Sequence, residues 1–82
     1  MNQLSERDEM LVILMEECSE LAIEASKILR FNKGNQLLES EAGDLLCMLQ
    51  LLEEKGYIDW GNVSLCASAK REKLKQWSNL NV

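Results

Sequence analysis

The spacing of apolar residues between positions 11 and 28 constrains the fold of this chain more than any other feature. Apolar side chains recur there at alternating steps of three and four residues, the period of an α-helix that packs against other helices. These positions are Leu11, Leu14, Cys18, Leu21, Ala25 and Ile28. A second apolar row beside them consists of Val12, Met15, Ala22 and Leu29. A helix with such a wide apolar surface is expected to contact more than one neighbouring helix.

The composition favours an all-helical chain. Its 82 residues include no Pro, no Thr and only seven Val and Ile, against fifteen Leu. Because β-branched residues favour strands and Leu favours helices, the fold class is predicted to be all-α. A chain of this length buries only about 60% of the surface that it exposes when unfolded. We therefore expect one helical domain over residues 1–82, an antiparallel bundle of about three helices per chain that is completed by oligomerisation.

Local signals predict where the helices begin and end. Ser5 and Asp59 are predicted N-caps, while the segment 32–35 and Gly56 are predicted to end helices. The predicted helices cover about residues 6–30, 35–55 and 60–78. The third helix has an apolar side that consists of Val63, Cys66, Ala67, Leu74 and Trp77. The short connections predict that consecutive helices pack antiparallel, and Gly43, inside the second helix, predicts close approach of another backbone.

Charge and cysteine spacing exclude several classes of function. The net charge of −5 argues against binding to a phosphate backbone, so nucleic acid is not an expected partner. The first ten residues are polar and the longest apolar run covers only residues 10–15, so we expect a cytoplasmic protein without a membrane contact. The lack of His and of paired Cys provides no residues for a zinc site or a His-based nucleophile. Cys18, Cys47 and Cys66 are expected to be buried, reduced thiols.

Two acidic motifs stand out on the first two predicted helices. Glu16, Glu17 and Glu20 form an EExxE motif on one helical face, and Glu41 and Asp44 lie three residues apart in an otherwise apolar row. Buried carboxylates without partners are costly, and a divalent cation between the helices would compensate several of them. Carboxylate ligands select a hard cation such as Mg²⁺, with Mn²⁺ as a substitute. The residues alone leave a second interpretation open, in which both motifs are ordinary solvated faces.

These motifs resemble those of the MazG-type all-α nucleoside triphosphate pyrophosphohydrolases, whose hallmark is EExxE on one helix and ExxD on the next. Here the motifs cover residues 16–20 and 41–44, with twenty residues between them. A short phage-like or bacterial branch of that family is similar to this chain over most of residues 10–78. The similar segments are EECSELAIEASKILRF, EAGDLLCMLQLLEEKG and AKREKLKQWS. The connection at residues 32–36 is shorter than in many members of the family.

The resemblance implies hydrolysis of the α–β phosphoanhydride of a nucleoside or deoxynucleoside triphosphate, with Mg²⁺, to the monophosphate and pyrophosphate. It also implies a homodimer or homotetramer and a housekeeping role in the nucleotide pool. By position, the implied metal ligands are Glu17, Glu20, Glu41 and Asp44. Glu16 and Glu17 are the implied catalytic residues, with Glu16 activating water or helping to hold a further ion.

Four further side chains are candidates for binding the substrate. Lys27 lies in line with Glu20 on the first helix, and Lys70 and Lys73 lie three residues apart on the third, followed by Trp77. The resemblance implies that Lys70 and Lys73 approach the triphosphate. A solvated basic face, and core packing for Trp77, remain open as alternatives. For the whole chain, the alternative function is a non-catalytic helical dimerisation module whose wide Leu surface binds a partner.

Overall fold

The computed structural model describes residues 3–82, and over this range the chain is helical without any strand. The three helices of this range are α1 (Glu6–Phe31), α2 (Gln36–Glu54) and α3 (Trp60–Trp77). The predicted all-α class is therefore confirmed, and each helix begins and ends within about one residue of its predicted boundary.

The predicted caps explain where α1 and α3 begin and where α1 and α2 end. The Ser5 hydroxyl accepts a hydrogen bond from the Asp8 amide at 3.1 Å, and the Asp59 carboxylate accepts one from the Gly61 amide at 3.0 Å. Asn32 ends α1 in the left-handed conformation, with φ of 52°, and Gly56 follows α2 with φ of 79°. Asn and Gly tolerate this conformation better than other residues, which is why the sequence predicted both ends.

The antiparallel pair of α1 and α2 contains the apolar core. Met10 of α1 packs with Met48 and Leu52 of α2, and Leu52 is only 2% exposed. Four half-buried side chains surround this core, namely Ile13, Leu14, Leu51 and Ile58. The start of α1 also meets the end of α2 through an ion pair of 3.5 Å between Glu6 and Lys55. The core therefore lies at one end of the helix pair, near the N-terminus of α1.

The face that α1 turns toward α2 coincides with the predicted row only in part. Leu14, Leu21 and Ile28 of the predicted row are half-buried, whereas Leu11, Cys18 and Ala25 of that row are exposed. Met10 and Glu17, outside the predicted row, are buried and half-buried. Because α1 is apolar over more than one face, α2 covers only part of that surface. The consequence for the site is that Glu17, rather than its neighbour Cys18, lies on the covered face.

The third helix lies apart from this pair. Over the described residues, α3 has no buried side chain, and it does not pack along α2 as its short connection predicted. The molecule measures 47 × 32 × 18 Å, so it is elongated and flat. Its radius of gyration of 15.6 Å exceeds the value of about 12 Å expected for a compact domain of this length. A single copy is thus more open than a compact domain.

The cysteines differ from their predicted burial. Cys18, Cys47 and Cys66, one on each helix, are all exposed. They lie on apolar helix positions that a single chain does not cover, which is why their sequence context suggested burial. Across residues 3–82, no helix is both long and apolar enough to cross a membrane.

Candidate metal centre

Three of the predicted metal ligands come together between α1 and α2. Glu17 and Glu20 lie one turn apart on α1, and Glu41 lies opposite them on α2. One carboxylate oxygen from each of the three lies within 4.8 Å of the other two. We call Glu17, Glu20 and Glu41 the carboxylate trio.

The helix pair places the trio about 10 Å from the core. Glu17 follows Met10 by seven residues and Glu41 precedes Met48 by seven, which is two helical turns on each helix. Since Met10 and Met48 pack together in the core, the same faces of both helices carry the two glutamates toward each other. Packing of the apolar core thus fixes the register that brings the carboxylates together.

Two oxygen atoms of the trio are enclosed without a hydrogen-bond partner. Among residues 3–82, Oε2 of Glu17 and Oε2 of Glu41 find no hydrogen-bond partner, and both atoms are shielded from solvent. Enclosed polar atoms in proteins are normally hydrogen-bonded or bound to an ion. These two atoms are therefore the feature of the site that most needs an explanation.

The surroundings raise the pKa of both enclosed glutamates above the ordinary value of 4.5. Burial is the largest cause for Glu17, followed by the negative charges of Asp44, Glu20 and Glu16. Burial is also the largest cause for Glu41, followed by the neighbouring Glu20 carboxylate, to which Glu41 would donate a hydrogen bond once protonated, and by the negative charges of Glu20, Asp44 and Glu17. A raised carboxyl pKa stabilises the fold below about pH 4.5, and this contribution is lost as the pH rises through the raised values. Near neutral pH the trio is under mutual repulsion.

The other two predicted acidic residues lie at the edge of the trio. Asp44 is exposed and is not one of the three mutually close carboxylates, but its charge raises the pKa of both Glu17 and Glu41. Glu16 is exposed and its charge acts on Glu17. Both side chains are therefore close enough to influence the site electrostatically without being enclosed in it.

The predicted cations do not neutralise the trio in this structure. Lys27 forms an ion pair of 3.2 Å with Glu24, a largely buried side chain on the same helix. Lys70, Lys73 and Trp77 are exposed on α3, which does not pack against the helices that carry the trio. Lys27 and Glu24 lie three residues apart on one helix face, and this spacing allows the ion pair.

Gly43 has open space around it. A side chain added there would meet nothing within 4 Å in the described part of the chain. The predicted close approach of another backbone is thus not formed within one copy. The position lies between Glu41 and Asp44 on α2, so there is room for at least a methyl group on this side of the helix.

The chemistry of the donors fits a small, hard divalent cation. Oxygen ligands at about 2.1 Å in octahedral geometry lie roughly 3 to 4 Å from one another. The three oxygens of the trio, within 4.8 Å, approach that spacing. Small side-chain movements would bring them around one ion, and an ion there would compensate the enclosed oxygens and the mutual repulsion. Comparisons with models of protein families, with curated proteins and with solved structures found no match to this chain.

Proposed function

We propose that this chain is a Mg²⁺-dependent nucleoside triphosphate pyrophosphohydrolase of the MazG type. The observation that carries the proposal is the pair of enclosed, unpartnered oxygens of Glu17 and Glu41 within a trio of close carboxylates. These residues belong to the two acidic motifs that resemble the family. The role would be housekeeping of the nucleotide pool in the cytoplasm.

Each acidic residue has a proposed role. Glu17, Glu20 and Glu41 would hold Mg²⁺, with Asp44 joining them from the edge of the site. Bound Mg²⁺ would neutralise phosphate charge and favour ionisation of water. Glu16, which is exposed beside Glu17, would accept the proton of the attacking water.

The overall reaction consumes one water and needs no covalent enzyme intermediate. The phosphoanhydride bond between the α- and β-phosphates breaks, the water oxygen ends on one of the two products, and its protons are shared between them and solvent. The products are a nucleoside monophosphate and pyrophosphate. A triphosphate is strongly anionic, so a cation is required before it can approach a site that carries several carboxylates.

The substrate would require positive side chains as well as the cation. Lys27, Lys70 and Lys73 are the proposed phosphate contacts, and Trp77 is the proposed stacking surface for the base. Lys27 would exchange its ion pair with Glu24 for a phosphate contact. Since α3 lies apart from the trio within one copy, its residues would reach the substrate only in a homo-oligomer or after movement of α3.

The test is release of pyrophosphate from a panel of nucleoside and deoxynucleoside triphosphates, with Mg²⁺ and with a chelator. We expect Mg²⁺-dependent formation of pyrophosphate and the matching monophosphate in equal amounts. Glu41→Gln should abolish turnover, because it removes one carboxylate of the trio. The matched control is Glu39→Gln, an exposed glutamate on the same helix outside the trio, which should retain the wild-type rate.

Two outcomes would contradict the proposal. The first is that the folded chain releases no pyrophosphate from any member of the panel. The second is equal activity of the Glu41 and Glu39 variants. Either result would favour the non-catalytic dimerisation module, for which the exposed apolar surface of α1 and α3 is the supporting observation. In such a module, Glu41→Gln would be neutral or stabilising whether or not Mg²⁺ is present.

A further inference from the structure

We propose that α3 of one copy packs on α1 of a second copy, so that two chains exchange their third helices. This inference concerns an interaction surface and does not depend on the proposed activity. Four observations support it: an uncovered apolar stripe on α1, a shorter apolar stripe on α3, the excess surface of one copy, and the opposite charges of α1 and α3.

The first surface is a continuous apolar stripe on α1. Its members recur at steps of four and three residues and are all exposed. We define the α1 stripe as Leu11, Met15, Cys18, Ala22, Ala25 and Leu29. Leu29 is 88% exposed, so the stripe is open along its whole length. This spacing is typical of a helix that packs along another helix, and α2 covers a different face.

The second surface is the apolar side of α3. The α3 stripe consists of Val63, Cys66, Ala67 and Leu74, and Lys70 interrupts it between Ala67 and Leu74. Within residues 3–82, α3 has no packing partner of its own chain along its length. The α1 stripe spans about 27 Å and the α3 stripe about 17 Å, from the rise of 1.5 Å per residue. The α3 stripe is therefore long enough to cover more than half of the α1 stripe.

The amount of exposed surface agrees with an exchanged dimer. The chain exposes 6727 Å², whereas a compact monomer of this size exposes about 5,000 Å². If each copy covered the excess, the interface would bury roughly 3,400 Å² in total, within the range of obligate dimers. One copy alone is thus too open for a stable monomer, and a second copy can supply the missing contacts.

Charge decides which element of the second copy fits the α1 stripe. The α1 helix carries seven acidic and three basic side chains, a net charge of −4. The α3 helix carries four basic side chains and one acidic side chain, a net charge of +3. Pairing α1 with α1 of another copy would bring two strongly acidic parts together, whereas pairing α1 with α3 brings opposite charges together. Exchange of α3 is therefore the favoured arrangement.

The native cysteines allow a direct test. Cys18 lies in the α1 stripe, Cys66 lies in the α3 stripe, and Cys47 lies on α2 outside both. Differently tagged chains that each keep a single cysteine, the other two replaced by Ser, are mixed, allowed to exchange and treated with a short bismaleimide. We expect a cross-link between Cys18 of one tagged chain and Cys66 of the other, in clear excess over the pair Cys47 with Cys66.

A substitution pair tests the same surface without cross-linking. Ala67 and Ala69 are both exposed on α3, but only Ala67 belongs to the stripe, because two residues turn the helix by about 200°. In sedimentation equilibrium, Ala67→Glu should raise the dimer dissociation constant by at least about tenfold, since it places a charge inside the interface. Ala69→Glu makes the same change in charge and should have little effect.

Three results would overturn the inference. One is a chain that remains monomeric at micromolar concentration. Another is a cross-link within one chain between Cys18 and Cys66, in a variant that keeps both of these cysteines, which would show that α3 folds back on its own α1. The last is equal dimerisation of the Ala67 and Ala69 variants. Pyrophosphate release is measured separately and depends first on the carboxylate trio, which lies within one copy, so failure of the interface and failure of the proposed activity remain distinguishable.

Discussion

Replacing Leu52 by Ala is expected to remove a large part of the stability of the α1–α2 pair. Leu52 is 2% exposed and packs with Met10 and Met48. The substitution deletes three carbon atoms, which at about 0.8 kcal/mol each contribute about 2.4 kcal/mol, and the residual cavity raises the loss to about 3 to 4 kcal/mol. A domain of this length is stabilised by roughly 4 to 12 kcal/mol in total. The expected fall in Tm is roughly 15 °C or more.

The assay is denaturant and thermal unfolding followed by circular dichroism at one fixed protein concentration, since association makes stability depend on concentration. Leu37→Ala is the matched control, because Leu37 lies on the same helix and is 50% exposed. We expect the control to lose less than about 1 kcal/mol. Equal losses in the two variants would refute the conclusion that Leu52 lies at the centre of the core.

Three further outcomes are expected in the absence of divalent cations. Glu41→Gln should be more stable than the wild type at pH 7, because the raised pKa of Glu41 makes its ionised form unfavourable in the folded chain. This advantage should be lost below about pH 4.5. Glu39→Gln, in the first turn of α2, should show no such gain. Ser5→Ala should cost about 1 kcal/mol in chemical unfolding, because the Asp8 amide loses its cap. Gly43→Ala should raise stability by about 1 kcal/mol, since its surroundings are open, and a loss would instead show that another backbone lies there in the assembled protein.

Helix boundaries were predictable because they depend on local chemistry. Ser5 and Asp59 cap their helices through side-chain oxygens, and Asn32 and Gly56 adopt backbone conformations that few other residues tolerate. Each of these effects involves only a few neighbouring residues. The same is true of the one-turn spacing between Glu17 and Glu20 on α1.

Tertiary arrangement was less predictable because several packings satisfy the same apolar pattern. The broad apolar surface of α1 offered α2 more than one face. The structure covers Leu14, Leu21 and Ile28 of the predicted row, but it covers Glu17 where the row predicted Cys18. The sequence singled out Glu41 as an acid in an apolar row, but the close approach of Glu17, Glu20 and Glu41 depends on the register of two helices. The position of α3 could not be derived from the shortness of its connection, because connection length does not decide which chain a helix packs against.

Cation binding tests the central proposal most directly. Mn²⁺ can be titrated into the metal-free wild type, Glu41→Gln and Glu39→Gln, with bound ion measured by electron paramagnetic resonance and with Mg²⁺ as competitor. We expect the wild type to bind Mn²⁺ saturably and Mg²⁺ to displace it. Binding should be lost or weakened at least about tenfold in Glu41→Gln and unchanged in Glu39→Gln. Equal Mn²⁺ affinity in the two variants, or no saturable binding by the folded wild type, would contradict the proposed metal site.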